Sequence, residues 1–140
     1  MDMKANERNM QPDRADNSLR AFVQVRLAAD DAFFGPGKAR LLEYINKTGS
    51  MQEACAEMGL SYSKGSRMIK NAEKKLGFRL LERWTGGSGG GGSRVTPEGL
   101  DLLDKYRELV RRVREETEII FADIFNDDRT GERSPGENEL

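Results

Sequence analysis

Residues 48–99, TGSMQEACAEMGLSYSKGSRMIKNAEKKLGFRLLERWTGGSGGGGSRVTPEG, constrain this chain more than any other segment. They set two short amphipathic runs around a glycine, then two short strand-like runs around a loop that is almost all glycine. Ser50, with Glu53 three positions on, has the form of a capping box, and Ala54, Cys55 and Met58 fall on one apolar face. Gly59 can take the left-handed conformation that reverses a chain after a helix, with Leu60 as the buried residue of the turn. Ser61 or Ser63 opens the next helix. There Met68, Ile69, Ala72 and Leu76 face inward, while Lys64, Ser66, Arg67, Lys70, Asn71 and Lys74 are left outward. Gly77 separates this helix from strands expected at Arg79–Trp84 and Ser93–Val95. The order of parts is that of a helix-turn-helix followed by a wing.

Charge is segregated along the chain. Residues 36–96 hold eleven Lys or Arg against five Glu, a net +6, although the whole chain of 140 residues carries a formal charge of only −1. The flanks are acidic, −1 over residues 1–35 and −6 over residues 97–140. A basic module between acidic ends suits phosphate binding by one face, since affinity for duplex DNA comes largely from Lys and Arg displacing condensed counterions. Solvated surface charge is the alternative for any charge run taken alone.

Other classes recede on composition. One cysteine and no histidine exclude an internal disulfide, a His or Cys metal cluster, and most nucleophilic or general-base catalysis; no cofactor and no metal are expected. Cys55 sits on an inward face and is expected to behave as a small apolar residue. No stretch approaches the roughly 18 apolar residues that span a bilayer, and the N-terminus lacks an apolar signal core. The expectation is a cytoplasmic protein with no membrane partner.

The glycine loop GGSGGGGS also resembles an engineered flexible linker. Its flanks, Trp84-Thr85 and Arg94-Val95-Thr96, pair naturally as strand ends. Gly87 and Gly92 have the separation of a phosphate-binding P-loop, but Ser93-Arg94 replaces the Lys-Ser/Thr such a loop needs, and a strand follows instead of a helix. As a wing tip, side-chain-free backbone can approach a sugar-phosphate chain closely, with Ser88 and Arg94 as polar contacts. A hairpin tip without function is the other possibility.

Thr96 can cap a last helix, with Pro97 at its first position and Glu98 favourable to its dipole. Leu103, Tyr106, Val110, Val113, Thr117, Ile120 and Ile124 recur at alternating spacings of three and four, a heptad seam. The helix is over 40 Å long at roughly 1.5 Å per residue, too long for so small a domain to bury. Near Leu100, Leu102 and Leu103 the stripe is expected to pack on its own domain, and beyond Val110 on a second copy. Phe121 and Phe125 add apolar surface suited to the N-terminal strand of a partner. That strand is expected over Arg20–Leu27, where Ala21, Val23, Val25 and Leu27 alternate. Pro36 suits the start of the first helix, whose apolar side is Leu41, Leu42, Tyr44 and Ile45.

The GLSYS turn, the IKNAEKKLGFRLLER run, the TGGSGGGGS loop and the VTPEGLDLL exit together resemble the DNA-binding domain of the ModE family of molybdate-responsive regulators, and more distantly the LysR-type winged helix. The likeness covers roughly residues 20–125, with the glycine wing its most specific element. Gly65 and Ser66 depart from it, standing where better-known members carry alanine and a large aromatic residue, so base preference need not match theirs. No segment resembles the Ser-Ala-Arg-Asn-Gln motif of the molybdate-binding domains, so no small-molecule effector is expected for this chain. Any oxyanion at the wing glycines or at the recognition-helix N-terminus should compete with DNA.

The resulting expectation is a mainly α fold with a small β wing, a winged helix-turn-helix with a long C-terminal dimerisation helix. Residues 1–18 form a disordered N-terminus, 19–96 the DNA-binding domain, 97–125 the dimerisation helix, and 126–140 a disordered acidic tail. Double-stranded DNA and a second copy are the expected partners, in transcriptional regulation of genes that the resemblance links to molybdenum or tungsten. Candidate DNA contacts are Ser61, Tyr62, Ser63, Lys64, Ser66, Arg67, Lys70, Asn71, Ser88 and Arg94. Arg67 and Asn71 are the best able to make bidentate base contacts, and Ser61, Tyr62 and Ser63 to anchor backbone. Candidate dimerisation residues are Val110, Val113, Thr117, Ile120, Phe121 and Ile124. The alternative is a winged-helix protein-interaction module, or dimerisation partner of a full-length regulator, without DNA binding of its own. A basic rather than apolar recognition face speaks against it.

Overall fold

The computed structural model describes residues 18–86 and 90–130, with side chains left out beyond residue 125. Residues 1–17, Ser88 and residues 131–140, with what the sequence leads one to expect of them, lie outside the described residues. Eight elements follow in order: β1 (Leu27–Ala28), β2 (Ala32–Phe34), α1 (Pro36–Thr48), α2 (Met51–Met58), α3 (Tyr62–Leu76), β3 (Leu81–Trp84), β4 (Gly92–Val95) and α4 (Pro97–Thr130). The architecture is mainly helical with a small β wing, a winged helix-turn-helix carrying one long terminal helix.

Each junction has a local cause. Gly49, Gly59 and Gly77 close α1, α2 and α3 at φ of 74°, 70° and 83°, a region open to glycine at little cost. Ser50 Oγ accepts from Glu53 N at 3.0 Å, while Ser50 N donates to Thr48 Oγ1 rather than to the Glu53 carboxylate that a closed capping box would use. Of the two serines able to open α3, Ser61 is the cap, accepting from Lys64 N at 3.1 Å. Thr96 caps α4 through Gly99 N and gives its own hydroxyl proton to Arg79 O.

The core gathers Leu41, Leu42 and Ile45 of α1, Ala54 and Cys55 of α2, Ile69 and Ala72 of α3, and Leu80, Leu81 and Val95 at the wing, all buried. Gly65 lets α2 and α3 approach closely. A Cβ there would overlap Cys55 Sγ, and burial in this contact pushes the Cys55 thiol above its ordinary pKa. Leu103 and Tyr106 dock the first turns of α4, with the Tyr106 ring edge-on to Phe34 at 5.2 Å and its hydroxyl donating to Val25 O at 2.7 Å.

Four expectations are corrected. The segment Arg20–Leu27 alternates in exposure, but only Leu27–Ala28 enters a ladder, because its partner β2 is three residues long. The first wing strand begins at Leu81 rather than Arg79, since the amides of Leu80 and Leu81 donate instead to Glu73 Oε2 at 2.7 and 3.2 Å. Ser66, expected outward, is buried at 8% exposure; it lies on the same stripe as Ile69 and Ala72, and helical period overrides its polarity. α4 continues past residue 125 to Thr130, as no glycine or proline interrupts that stretch.

Candidate nucleic-acid interface

Two features make α3 two-sided. Its inner stripe of Gly65, Ser66, Ile69 and Ala72 is buried against α1 and α2. Its outer face presents Lys64, Arg67, Lys70, Asn71 and Lys74, all exposed, at spacings of three and four that bring them onto one surface. Among the described residues none of Lys64, Arg67, Lys70 and Lys74 is in an ion pair with a carboxylate, whereas Lys75, next in sequence, binds Asp30 at 2.7 Å and Asp31 at 3.1 Å. Those two carboxylates raise the Lys75 pKa. The outward lysines thus keep charge available for an outside anion while the inward-leaning one is neutralised by the β1–β2 turn.

At the start of α3, Ser61, Tyr62 and Ser63 are exposed. Ser61 spends its side chain on the cap, which leaves the exposed Tyr62 and Ser63 as the contacts there. Tyr62 OH receives a long hydrogen bond, 3.4 Å, from Arg83 Nη1 of β3. Arg83 was not among the expected contacts. Its position was nonetheless readable, since strand alternation from the buried Leu81 puts residue 83 on the hairpin face that meets the helices.

The wing is an antiparallel hairpin in which Leu81 faces Val95, Glu82 faces Arg94, Arg83 faces Ser93 and Trp84 faces Gly92. Ser93 N also donates to Gly49 O at 2.9 Å, fixing β4 to the end of α1. Arg94 lies on the outer hairpin face, away from Arg83. Its Nε binds Glu82 Oε1 at 2.7 Å, and its guanidinium carbon is 6.0 Å from the centre of the Trp84 ring. The structure therefore joins Tyr62, Ser63, Lys64, Arg67, Lys70 and Asn71 into one surface with Arg83 at its edge. Ser66 is turned inward, and Arg94 stands on another face.

The second candidate surface is α4. Leu103 and Tyr106 are covered by the chain's own domain, Val110, Val113, Thr117 and Phe121 are half-buried, and Ile120 and Ile124 are about half exposed, at 52% and 50%. Phe121 and Phe125 stack on each other with centroids 4.5 Å apart. No helix among the described residues is long and apolar enough to cross a membrane.

Residues 37–100 match the family model of the bacterial regulatory helix-turn-helix proteins of the lysR family. The Molybdenum transport protein ModE of Herbaspirillum seropedicae is 40% identical over 83 residues, 59% of this chain and 29% of that protein. The DNA-binding transcriptional dual regulator ModE of Escherichia coli (strain K12) is 30% identical over 101 residues, 72% of this chain and 36% of its own length. The chain thus spans about a third of the curated relatives it matches. Among solved structures, the BenM_DBD complex with benA site 1 DNA overlaps 64% of this chain and 94% of its own at a TM-score of 0.47 and 22% identity. ArgP from Mycobacterium tuberculosis overlaps 58% and 28% at a TM-score of 0.45, also 22% identical. Over residues 37–100 the chain is thus similar to the bacterial regulatory helix-turn-helix proteins of the lysR family, with ModE proteins among its sequence relatives.

Proposed function

We propose that this chain is a ModE-like transcriptional regulator that binds duplex DNA by laying α3 in the major groove and the wing beside it. The observation that carries this is the outer face of α3, where Lys64, Arg67, Lys70 and Lys74 stand exposed and without carboxylate partners among the described residues, on the second helix of a helix-turn-helix. Lysines in such a position serve phosphate, and Arg67 and Asn71 can reach base edges, where bidentate contacts discriminate. Arg83 joins them as a phosphate contact held beside the helix start by Tyr62. The relatives' names, a DNA-binding regulator and a molybdenum transport protein, support a role at genes of molybdenum or tungsten metabolism. No catalysis is part of the proposal: the chain has no histidine, and its one cysteine lies packed beneath Gly65.

The proposed regulator is a cytoplasmic homodimer. α4 has 34 residues, roughly 50 Å at 1.5 Å per residue, and its distal half extends the seam Val110, Val113, Thr117, Ile120 and Ile124. A groove of about 590 Å³ between residues 24–25, α1 and α4 meets that seam at Val110 and offers further room for a second copy. A two-fold pair would hold two recognition helices about one DNA turn apart.

Genomic footprinting of the native protein tests the whole proposal. The expected result is a set of discrete protected sites with paired half-sites, near genes of oxyanion uptake or molybdenum use. Recovery of no enriched site would contradict it.

A further inference from the structure

Glu73 is the single acidic residue of α3, a helix that otherwise carries Lys64, Arg67, Lys70, Lys74 and Lys75. A carboxylate on a helix that lies against phosphates opposes binding unless it is turned away. Glu73 is turned away, with its side chain only 17% exposed. Its Oε2 accepts from the amides of Leu80 at 2.7 Å and Leu81 at 3.2 Å, the residues at which the wing begins, and Arg79 Nε lies 3.8 Å from the same oxygen. Leu80 O in turn accepts from Thr96 N at 2.9 Å, and Thr96 Oγ1 donates to Arg79 O while capping α4. One carboxylate thus ties the last turn of α3 to the base of the hairpin. Further along β3, Arg83 reaches Tyr62 OH at the other end of α3. The hairpin is fastened to the helix at two points, one made by Glu73 and the other by Arg83 itself.

We propose that Glu73 is a positioning residue for DNA binding: by holding the first two amides of the wing against α3, it sets where the Arg83 guanidinium stands relative to the cations of the helix. This rests on the DNA-binding role proposed above. Burial of Leu80 and Leu81 presses the hairpin onto the core, but apolar contact is non-directional. Hydrogen bonds from consecutive amides to one carboxylate oxygen fix the direction of the strand as well as its distance, and bonds to a carboxylate are stronger than those to a neutral acceptor. Such support matters because a binding constellation works only when its members are held to within roughly 0.5 Å. Glu73 itself touches no DNA and acts through Arg83.

Full-length wild type, Glu73→Ala, Glu73→Gln, Arg83→Ala and the double variant Glu73→Ala with Arg83→Ala are titrated into a fluorescein-labelled duplex of mixed sequence, about 40 base pairs long, between about 50 and 200 mM salt, where phosphate contacts dominate affinity. Anisotropy reads affinity, and chemical denaturation establishes that each variant is folded in the assay. Arg83→Ala should weaken binding severalfold and shorten the salt slope by about 1. Glu73→Ala should do the same, although removing a negative charge near DNA would by itself strengthen binding. The double variant should lose no more than Arg83→Ala alone, because both changes remove one contact. Glu73→Gln, whose amide oxygen still accepts from both N–H groups, should restore wild-type affinity or exceed it. If Glu73→Ala fails to fold, Glu73→Asp, one methylene too short to reach both amides, takes its place with the same expected loss. A lowered unfolding midpoint with unchanged affinity and slope would mark a merely structural role and overturn the assignment. Tighter binding in both Glu73→Ala and Glu73→Gln, additive losses in the double variant, or wild-type affinity in Arg83→Ala would also overturn it, with DNA binding intact. Absence of saturable binding by wild type would overturn the DNA-binding role itself.

Discussion

α3 and the distal half of α4 are built from similar residues and reach opposite outcomes. In α3 the apolar residues are consumed by the core, with Ile69 and Ala72 fully buried, and the outward Lys64, Arg67, Lys70 and Lys74 are left without carboxylate partners among the described residues. In α4 Lys105, Arg111 and Arg112 are consumed by carboxylates on the same helix. Arg111 binds Glu108 at 2.6 Å and Glu115 at 2.8 Å, and Arg112 binds Glu108 at 2.8 Å. What α4 leaves over is apolar, with Ile119 at 62% exposure and Ile120 and Ile124 close behind. An unpaired cationic face needs an anion, and an uncovered apolar stripe needs another apolar stripe. On the proposed function the two helices serve different partners, DNA for one and a second copy for the other.

The strongest way to break that contrast is to put a charge into the α4 seam. An unpaired carboxylate buried in an apolar contact is costly enough to undo a marginal interface, so Val113→Asp should convert dimer to monomer in light scattering. The domain should stay folded, and affinity for a site with two half-sites should fall. An unchanged molar mass would refute the seam.

A smaller effect is expected where α3 meets α2. Gly65→Ala forces a methyl group onto Cys55 Sγ, and overpacking of this kind costs about 1–3 kcal/mol. Chemical denaturation measures it, and the double variant Gly65→Ala with Cys55→Ala should recover most of the loss. A full loss in the double variant would place the cause elsewhere.

The smallest effect concerns the paired charges of α4. Hydrogen bonds from Arg111 and then Arg112 hold the Glu108 carboxyl down to about 2, against an ordinary value of 4.5. A folded-state value depressed in this way stabilises fully above about 4.5 and is lost as pH falls toward 2. The group is open to solvent, so the effect is screened by salt. Ellipticity of the helix should decline slightly over that interval at low salt, and Glu108→Gln should remove the decline.

What was legible in the sequence follows the range of the interactions involved. The helix-turn-helix is written in local signals: Ser50 and Ser61 as caps, Gly59 and Gly77 at positive φ, Pro97 at the first position of α4. The outward lysines of α3 follow from the same period. Ser66 was misplaced because its polarity was weighed above its position on the Ile69 and Ala72 stripe. Arg83 was overlooked although alternation from Leu81 points it toward the helices. The pairing of Arg94 with Glu82 and the fit of Trp84 over Gly92 depend on hairpin register across a loop, which neither strand specifies alone. The same holds for residues 20–26, which alternate as a strand should but find no neighbouring strand long enough to pair with.

The salt dependence of binding to a footprinted duplex, measured for wild type and for Arg67→Ala, Lys70→Ala and their double variant, tests the cationic face of α3 most directly. Log affinity should fall linearly with log salt. Lys70→Ala should weaken binding across sequences and shorten the slope by about 1, and Arg67→Ala should cost about 1–3 kcal/mol and relax base preference. Equal affinity and equal slope for wild type and the double variant would contradict the assignment of α3 as the helix that reads DNA.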